Sequence, residues 1–181
     1  IKRFIVIVAL FSAFWAKAQE NTSSPYSYYG VGITNFKGTV ENRSMGGLST
    51  FSDSIHMNLT NPAGYGKLAR TTYAVGASVE STKQETQGAE DRTKNVYLDY
   101  LGLGVPVGRF GFGVGLIPYS SVGYRIYDIE ENGASRLRGR GGMNKVFLSA
   151  AYAISRDLSV GVNSDYNFGN IQHRRTVVRE G

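Results

Sequence analysis

The densest group of reactive side chains is Ser52-Asp53-Ser54-Ile55-His56, where a carboxylate, hydroxyls and an imidazole lie close along the chain. Hydrolytic chemistry of the Ser-His type needs a hydroxyl in reach of the imidazole and a third group that orients the base. Nothing in this short stretch sets such a geometry. A hydrolase is therefore the remote reading, and His56 is expected to face solvent or pack locally. The other histidine heads the basic run His173-Arg174-Arg175. The chain has no cysteine, which excludes disulfides, thiolate metal sites and a lipoprotein anchor. No metal-ligand spacing is present, and no cofactor is expected. The glycine-rich run GLGVPVGRFGFGVG, residues 102–115, could suggest a phosphate cradle, but no helix follows it.

Two proline motifs carry backbone constraints in place of chemistry. In Asn61-Pro62-Ala63 the proline fixes φ, lacks a donor and pushes Asn61 out of the helical region. Such a turn either acts as a rigid, movable stopper or simply ends one segment and begins another. In Pro118-Tyr119-Ser120-Ser121 a proline interrupts an otherwise apolar-alternating run, which marks an edge or a bulge.

The elements around these motifs are strands. In Leu158-Ser-Val-Gly-Val-Asn-Ser-Asp-Tyr-Asn-Phe-Gly169, apolar residues alternate with Ser, Gly, Asn and Asp, so one face is oily and the other wet. The same rhythm runs from Thr71 to about Val79, from Val96 to Val105, from Arg109 past Pro118 to about Ile129, and from Lys145 to Ile154. That makes about five strands. Polar stretches Ser81 to Asn95 and Glu130 to Asn144, and the polar tail from Asn170, are expected as long loops, and Pro106-Val107-Gly108 and Ser155-Arg156-Asp157 as short turns. Long and short connections in strict alternation suit a transmembrane antiparallel β-barrel better than a soluble sandwich. The 12 tyrosines, 9 phenylalanines and 23 glycines, with only 19% charged residues, agree.

The ends of the chain fit export. Lys2 and Arg3 precede an apolar run and Ala16-Lys17-Ala18, the pattern of a signal peptide at 1–18. Its removal would lower the formal net charge from +6 to +3, too little to argue for nucleic acid as a partner. Residues 19–69, rich in Ser, Asn, Gly and Thr, show no sustained period. Residues 70–181 form the partial barrel. About five strands cannot close a barrel, whose smallest forms have about eight, so this reads as the N-terminal part of a longer protein. Bulky apolar residues should meet outer-membrane lipid, and the Gly, Ser, Asn and Asp set should face inward.

In this setting Arg43, Gly46-Gly47, Asp53 and Asn61-Pro62-Ala63, followed by a strand from Thr71, resemble the hatch of the long-chain fatty-acid transporter (FadL-type) family of outer-membrane proteins, closest to its Bacteroidetes members. The likeness extends from Tyr26 to about Gly169. It implies a barrel of about 14 strands, roughly nine of them absent here, with residues 19–69 folded inside as a plug. It further implies passive uptake of a hydrophobic small molecule, with a side opening at Pro118, Tyr119, Ser120 and Ser121. The hatch here is poor in large apolar residues, which argues against a fatty acid. Related barrels serve secretion as scaffolds. Two functions are therefore expected: a non-enzymatic transport barrel gated by the hatch, or a structural barrel that docks outer-membrane protein partners. His173-Arg174-Arg175 would then lie in an outer loop, solvated or against lipopolysaccharide phosphates.

Overall fold

The structure, a computed structural model, describes residues 24–86, 89–130 and 133–178. The signal-peptide expectation at 1–18 lies outside them. Five long strands form one antiparallel sheet in sequence order: β2 (Thr72–Thr86), β3 (Ala89–Val107), β4 (Phe110–Glu130), β5 (Gly133–Ala153) and β6 (Ser159–Val178). A two-residue strand, β1 (Ile33–Thr34), pairs with β4. The sheet is open, with β2 and β6 at its edges among the described residues. No helix among the described residues is long and apolar enough to cross a membrane.

The alternation fixes the faces. Leu101, Leu103, Phe110, Phe112, Val114 and Leu148 are exposed, while Gly102, Gly104, Gly111, Gly113 and Phe147 between them are buried. The outer face is thus apolar and bare, and the inner face around the glycines of β3 and β4 is covered by the N-terminal segment. Two bulges interrupt the parity. Asp99 is an extra residue where Gly76 pairs with Tyr100 and Ala77 with Leu98. Tyr119 is another, where Pro118 pairs with Asn144 but Ser120 with Met143. Each bulge turns two successive residues to one side, which is why the early half of β3 alternates poorly.

The long loops expected at Ser81 to Asn95 and Glu130 to Asn144 are corrected: the described residues of both stretches are strand. Pairing continues to Thr86↔Ala89 in one hairpin and to Glu130↔Gly133 in the other. The polar tail is likewise part of β6, paired with β5 as far as Val178↔Ala134. Ladder hydrogen bonds come from the backbone, so polarity in these stretches marks a change of surroundings and leaves the strands unbroken.

The covering segment holds a 3₁₀ turn (Pro25–Tyr28), β1, a short helix α1 (Val40–Ser44) and a second 3₁₀ turn (Pro62–Lys67). Met57, Leu59, Tyr65 and Leu68 from this segment form the core with Tyr100, Ile117, Phe147 and Ala151 from the sheet. The approach is backbone-close. A Cβ on Gly111 would overlap the Tyr65 carbonyl oxygen, and one on Gly113 would overlap the Tyr65 ring. Gly111→Val should therefore lower folding stability by about 1–3 kcal/mol, read as a lower melting midpoint in detergent, whereas Val114→Ala on the bare outer face should change it far less.

Candidate functional site

The sequence motifs do not converge on one reactive centre. Each fastens the N-terminal segment, either to itself or to the sheet. Thr39 caps α1 by accepting the Asn42 N–H, and its own backbone N–H returns to Asn42 Oδ1 at 3.2 Å. Gly46 and Gly47 end the helix at φ of +70° and +89°, a conformation that costs other residues dearly. Gly47 N–H reaches the Asn42 carbonyl at 2.7 Å. From this helix Arg43 lies over the Phe36 ring, donates to Ser78 Oγ at 3.3 Å and pairs with Asp99 at 3.9 Å. Asp99 is buried and also accepts from Ser78 Oγ. The bulge in β3 thus supplies the carboxylate that holds α1.

Asp53 closes a local turn. Its carboxylate accepts from Ile55 N–H at 2.9 Å, from His56 N–H at 2.6 Å and contacts His56 Nδ1 at 2.5 Å. The hydrogen bond to the Asp53 carboxylate raises the His56 pKa above its ordinary value; burial opposes the rise, and the charges of Asp53 and Glu41 add to it. Among the described residues no group of three or more His, Asp and Glu side chains is placed to hold a metal ion.

Asn61 caps the second 3₁₀ turn, accepting from Ala63 N–H at 3.2 Å, with Pro62 at its first position. This turn sits on β6. Ser159 Oγ donates to the Ala63 carbonyl at 2.9 Å, and a Cβ on Gly161 would lie 2.5 Å from Ala63 N. Asn58, which the motifs do not single out as structural, is the knot of the segment. It donates to the Ser49 and Phe51 carbonyls and accepts from Thr60 and Asn61 N–H groups at 3.0 and 2.8 Å. An Asn three residues before the Asn that caps a proline turn is the sequence signal for it.

Pro118, Tyr119, Ser120 and Ser121 meet this segment at a different place. β3 and β4 pair only from Val107↔Phe110 to Leu101↔Leu116. Beyond that point β3 stays with β2, and β4 stays with β5. The edge of β4 that β3 leaves is taken by β1, through Thr34↔Ser120 and Ile33↔Ser121. Asn35 extends the contact, its N–H to the Tyr119 carbonyl at 3.0 Å and its amide to the Pro118 carbonyl at 3.3 Å. Lys37 lies over the Tyr119 ring at 4.6 Å. His173 is also corrected: it sits in β6 opposite Gly139, outside any loop, and its Nδ1 meets Tyr124 Oη at 2.7 Å. Tyr28 packs edge-on to Tyr124 at 5.3 Å, so these rings hold the first 3₁₀ turn.

The BamG family model matches residues 1–181. The chain belongs to the BamG family. No curated protein and no solved structure matches it. The BamG family is related to outer-membrane assembly, and this overturns the resemblance to FadL-type transporters. The physical reason lies in the motif itself. Arg43 is a wall anchor, Gly46-Gly47 a helix stop, Asp53 a turn closure and Asn61-Pro62-Ala63 a 3₁₀ cap. Any segment that packs against a glycine-rich sheet can use these devices, so they do not single out a transporter.

Two outcomes follow. Arg43→Ala should cost about 1–2 kcal/mol, seen as a lower melting midpoint and faster proteolysis of residues 35–60, with Asp99→Asn recovering part of the loss in the double variant. The raised pKa of His56 means that its protonated form is favoured by folding. The stabilisation is full below the ordinary value of 6.5 and disappears as pH rises through the raised value. His56→Gln should narrow the difference in melting midpoint between about pH 5 and about pH 9; an unchanged difference would rule the pair out.

Proposed function

We propose that this chain is a structural outer-membrane β-barrel component that docks partner proteins in outer-membrane assembly. The observation that carries this reading is the fit of the N-terminal segment to the inner wall. Tyr65 and Ala63 lie against Gly111, Gly113 and Gly161 so closely that a single methyl group would collide. A wall built at backbone contact suits a rigid scaffold better than a passage through which cargo must slip. Family membership supports the same side.

The reading carries an architecture with it. Unpaired sheet edges are untenable in lipid, so β2 and β6 are completed by further strands, from the same polypeptide or from a partner. Residues 1–18 serve as the export leader, 19–69 as a plug fixed to the wall and 70–181 as the wall, supported by the charged start, the apolar run and the packing at Tyr65. The exposed outer set of Tyr73, Val75, Val114, Leu148, Val160 and Val162 meets hydrocarbon. No covalent chemistry is required. The hairpins β2–β3 and β4–β5, which part beyond Leu101 and Leu116, stand as separate arms for partner contact.

Deletion of the gene should lower the amount of folded outer-membrane proteins and leave growth on hydrophobic carbon sources unchanged. Photo-crosslinkers placed at Lys83 and Tyr127 should trap outer-membrane assembly proteins in living cells. Normal levels of folded outer-membrane proteins together with lost growth on hydrophobic carbon would overturn the docking reading in favour of transport.

A further inference from the structure

At the short-turn end of the sheet, the wall and the N-terminal segment leave a cavity of about 640 Å³ between them. Four pieces of chain line it: the loop at Ser52 to Ser54, the end of the second 3₁₀ turn at Gly66 and Lys67, the β3–β4 turn at Arg109, and the β5–β6 turn from Ala153 to Arg156. Three of these pieces each contribute a cation: Lys67, Arg109 and Arg156.

These cations stand without counter-charge. Elsewhere Arg43 is held by Asp99, Lys145 by Asp165 and Arg140 by Gln172. The side chains of Lys67, Arg109 and Arg156 are exposed, and among the described residues none of them forms a hydrogen bond, an ion pair or a ring contact. The carboxylate at the cavity, Asp53, is already taken by His56 and by two backbone N–H groups. Asp157, next along the β5–β6 turn, lies outside the lining. The cavity is thus positive, and its charges are free to meet an anion.

Its backbone frame is fixed. Ala153 N–H donates to the Arg109 carbonyl at 2.9 Å, which ties the two turns together. Ser155 Oγ accepts from the Asp157 and Leu158 N–H groups at 3.3 and 3.1 Å, and Ala69 N–H donates to the Ser54 carbonyl at 2.9 Å. Gly66 sits so close to the wall that a Cβ there would lie 3.3 Å from the Ser159 Cβ and 3.4 Å from Ala153 N. The segments that carry the charges are therefore in place before a ligand arrives, and binding is spared the cost of ordering them.

Position and size select the anion. Val107, Phe110 and Leu158 bring the bare apolar face down to these turns, and the short turns of membrane barrels face the periplasm. The cavity lies on the opposite, inner side, with Ala153 and the N-terminal segment. Behind it Tyr65 and Leu68 are buried and fill the inner face, which leaves acyl chains nothing to lie along. The volume is that of a site for several side chains and exceeds one small anion. Carboxylates presented in succession along a peptide match three cations on three segments, and arginine forks take carboxylates two oxygens at a time.

We propose, on the docking reading above, that this cavity receives an acidic segment of a periplasmic partner protein, its carboxylates held by Lys67, Arg109 and Arg156. The test uses the full-length protein in detergent, with fluorescein-labelled hexaglutamate and hexaglutamine peptides and phosphatidylglycerol as probes. Hexaglutamate should bind and hexaglutamine should not, and phosphatidylglycerol at equal charge should not displace it. Arg109→Gln/Arg156→Gln should lose about tenfold or more in affinity, and Arg109→Lys/Arg156→Lys, which keeps the charge, should lose less. Arg174→Gln/Arg175→Gln, which removes the same charge at the far end of β6, should lose less than about twofold. In cells, a photo-crosslinker at Ile154 should trap an outer-membrane assembly protein, and that product should vanish in the Arg109→Gln/Arg156→Gln background while products at Lys83 and Tyr127 persist. Absence of assembly proteins from the products at all three positions overturns the docking reading and this site with it. Products at Lys83 and Tyr127 combined with an Ile154 product that survives the glutamine variant overturn the site alone. So do equal binding of the two peptides, displacement by phosphatidylglycerol at equal charge, or equal losses in the two glutamine variants.

Discussion

The close approach of an irregular N-terminal segment to a glycine-bearing sheet face is the constraint on which the rest of the structure depends. Tyr65 occupies the space that side chains at Gly111 and Gly113 would need, and Ala63 does the same at Gly161. Burying a segment with little regular structure leaves its backbone groups in want of partners. The chain answers with short-range side-chain caps: Thr39 and Asn42 on α1, Asn58 beneath the loop, Asn61 on the 3₁₀ turn. The abundance of Asn, Ser and Thr in this segment follows from that need. It is a hydrogen-bonding inventory, and reading it only as loop composition misses its purpose.

A second consequence of the same packing is seen where β3 and β4 separate. A strand edge left open exposes a row of unpaired donors and acceptors. Here β1 covers part of the β4 edge at Ser120 and Ser121, and Asn35 continues it at Pro118 and Tyr119. The proline, the bulge and the added strand act together. Pro118 cannot donate, Tyr119 is the extra residue, and the next two positions accept a new neighbour from the far end of the sequence.

Much of the sheet is legible in the residues. Alternation from Leu158 to Phe168 and from Phe110 to Leu116 reveals both the strands and their apolar face, because successive side chains of a pleated strand point to opposite sides. The strand ends are not legible. Polar residues from Ser81 to Asn95 and from Glu130 to Asn144 look like loops, yet their backbones pair as far as Thr86↔Ala89 and Glu130↔Gly133. Hydropathy reports which medium a side chain meets and is silent about the ladder. Parity fails at Asp99 and Tyr119 for a related reason, since one inserted residue exchanges the faces without changing composition. The motifs of the N-terminal segment are easy to locate and look like one device. Arg43, Asp53 and Ala63 do separate local tasks, and only the contacts with Asp99, His56 and Ser159 reveal this. Asn58 and Asn42 are ordinary polar residues in the sequence, and their burial gives their amides to the fold.

The span of these contacts along the chain sets an order of events. Ser159 holds Ala63 and Ser27 holds Gly123, each across 96 residues of sequence. Contacts of such separation form late, since the intervening chain must first be brought to order. Residues 24–69 therefore lock only after β4, β5 and β6 are in place to receive them. Until then the glycine wall stands bare.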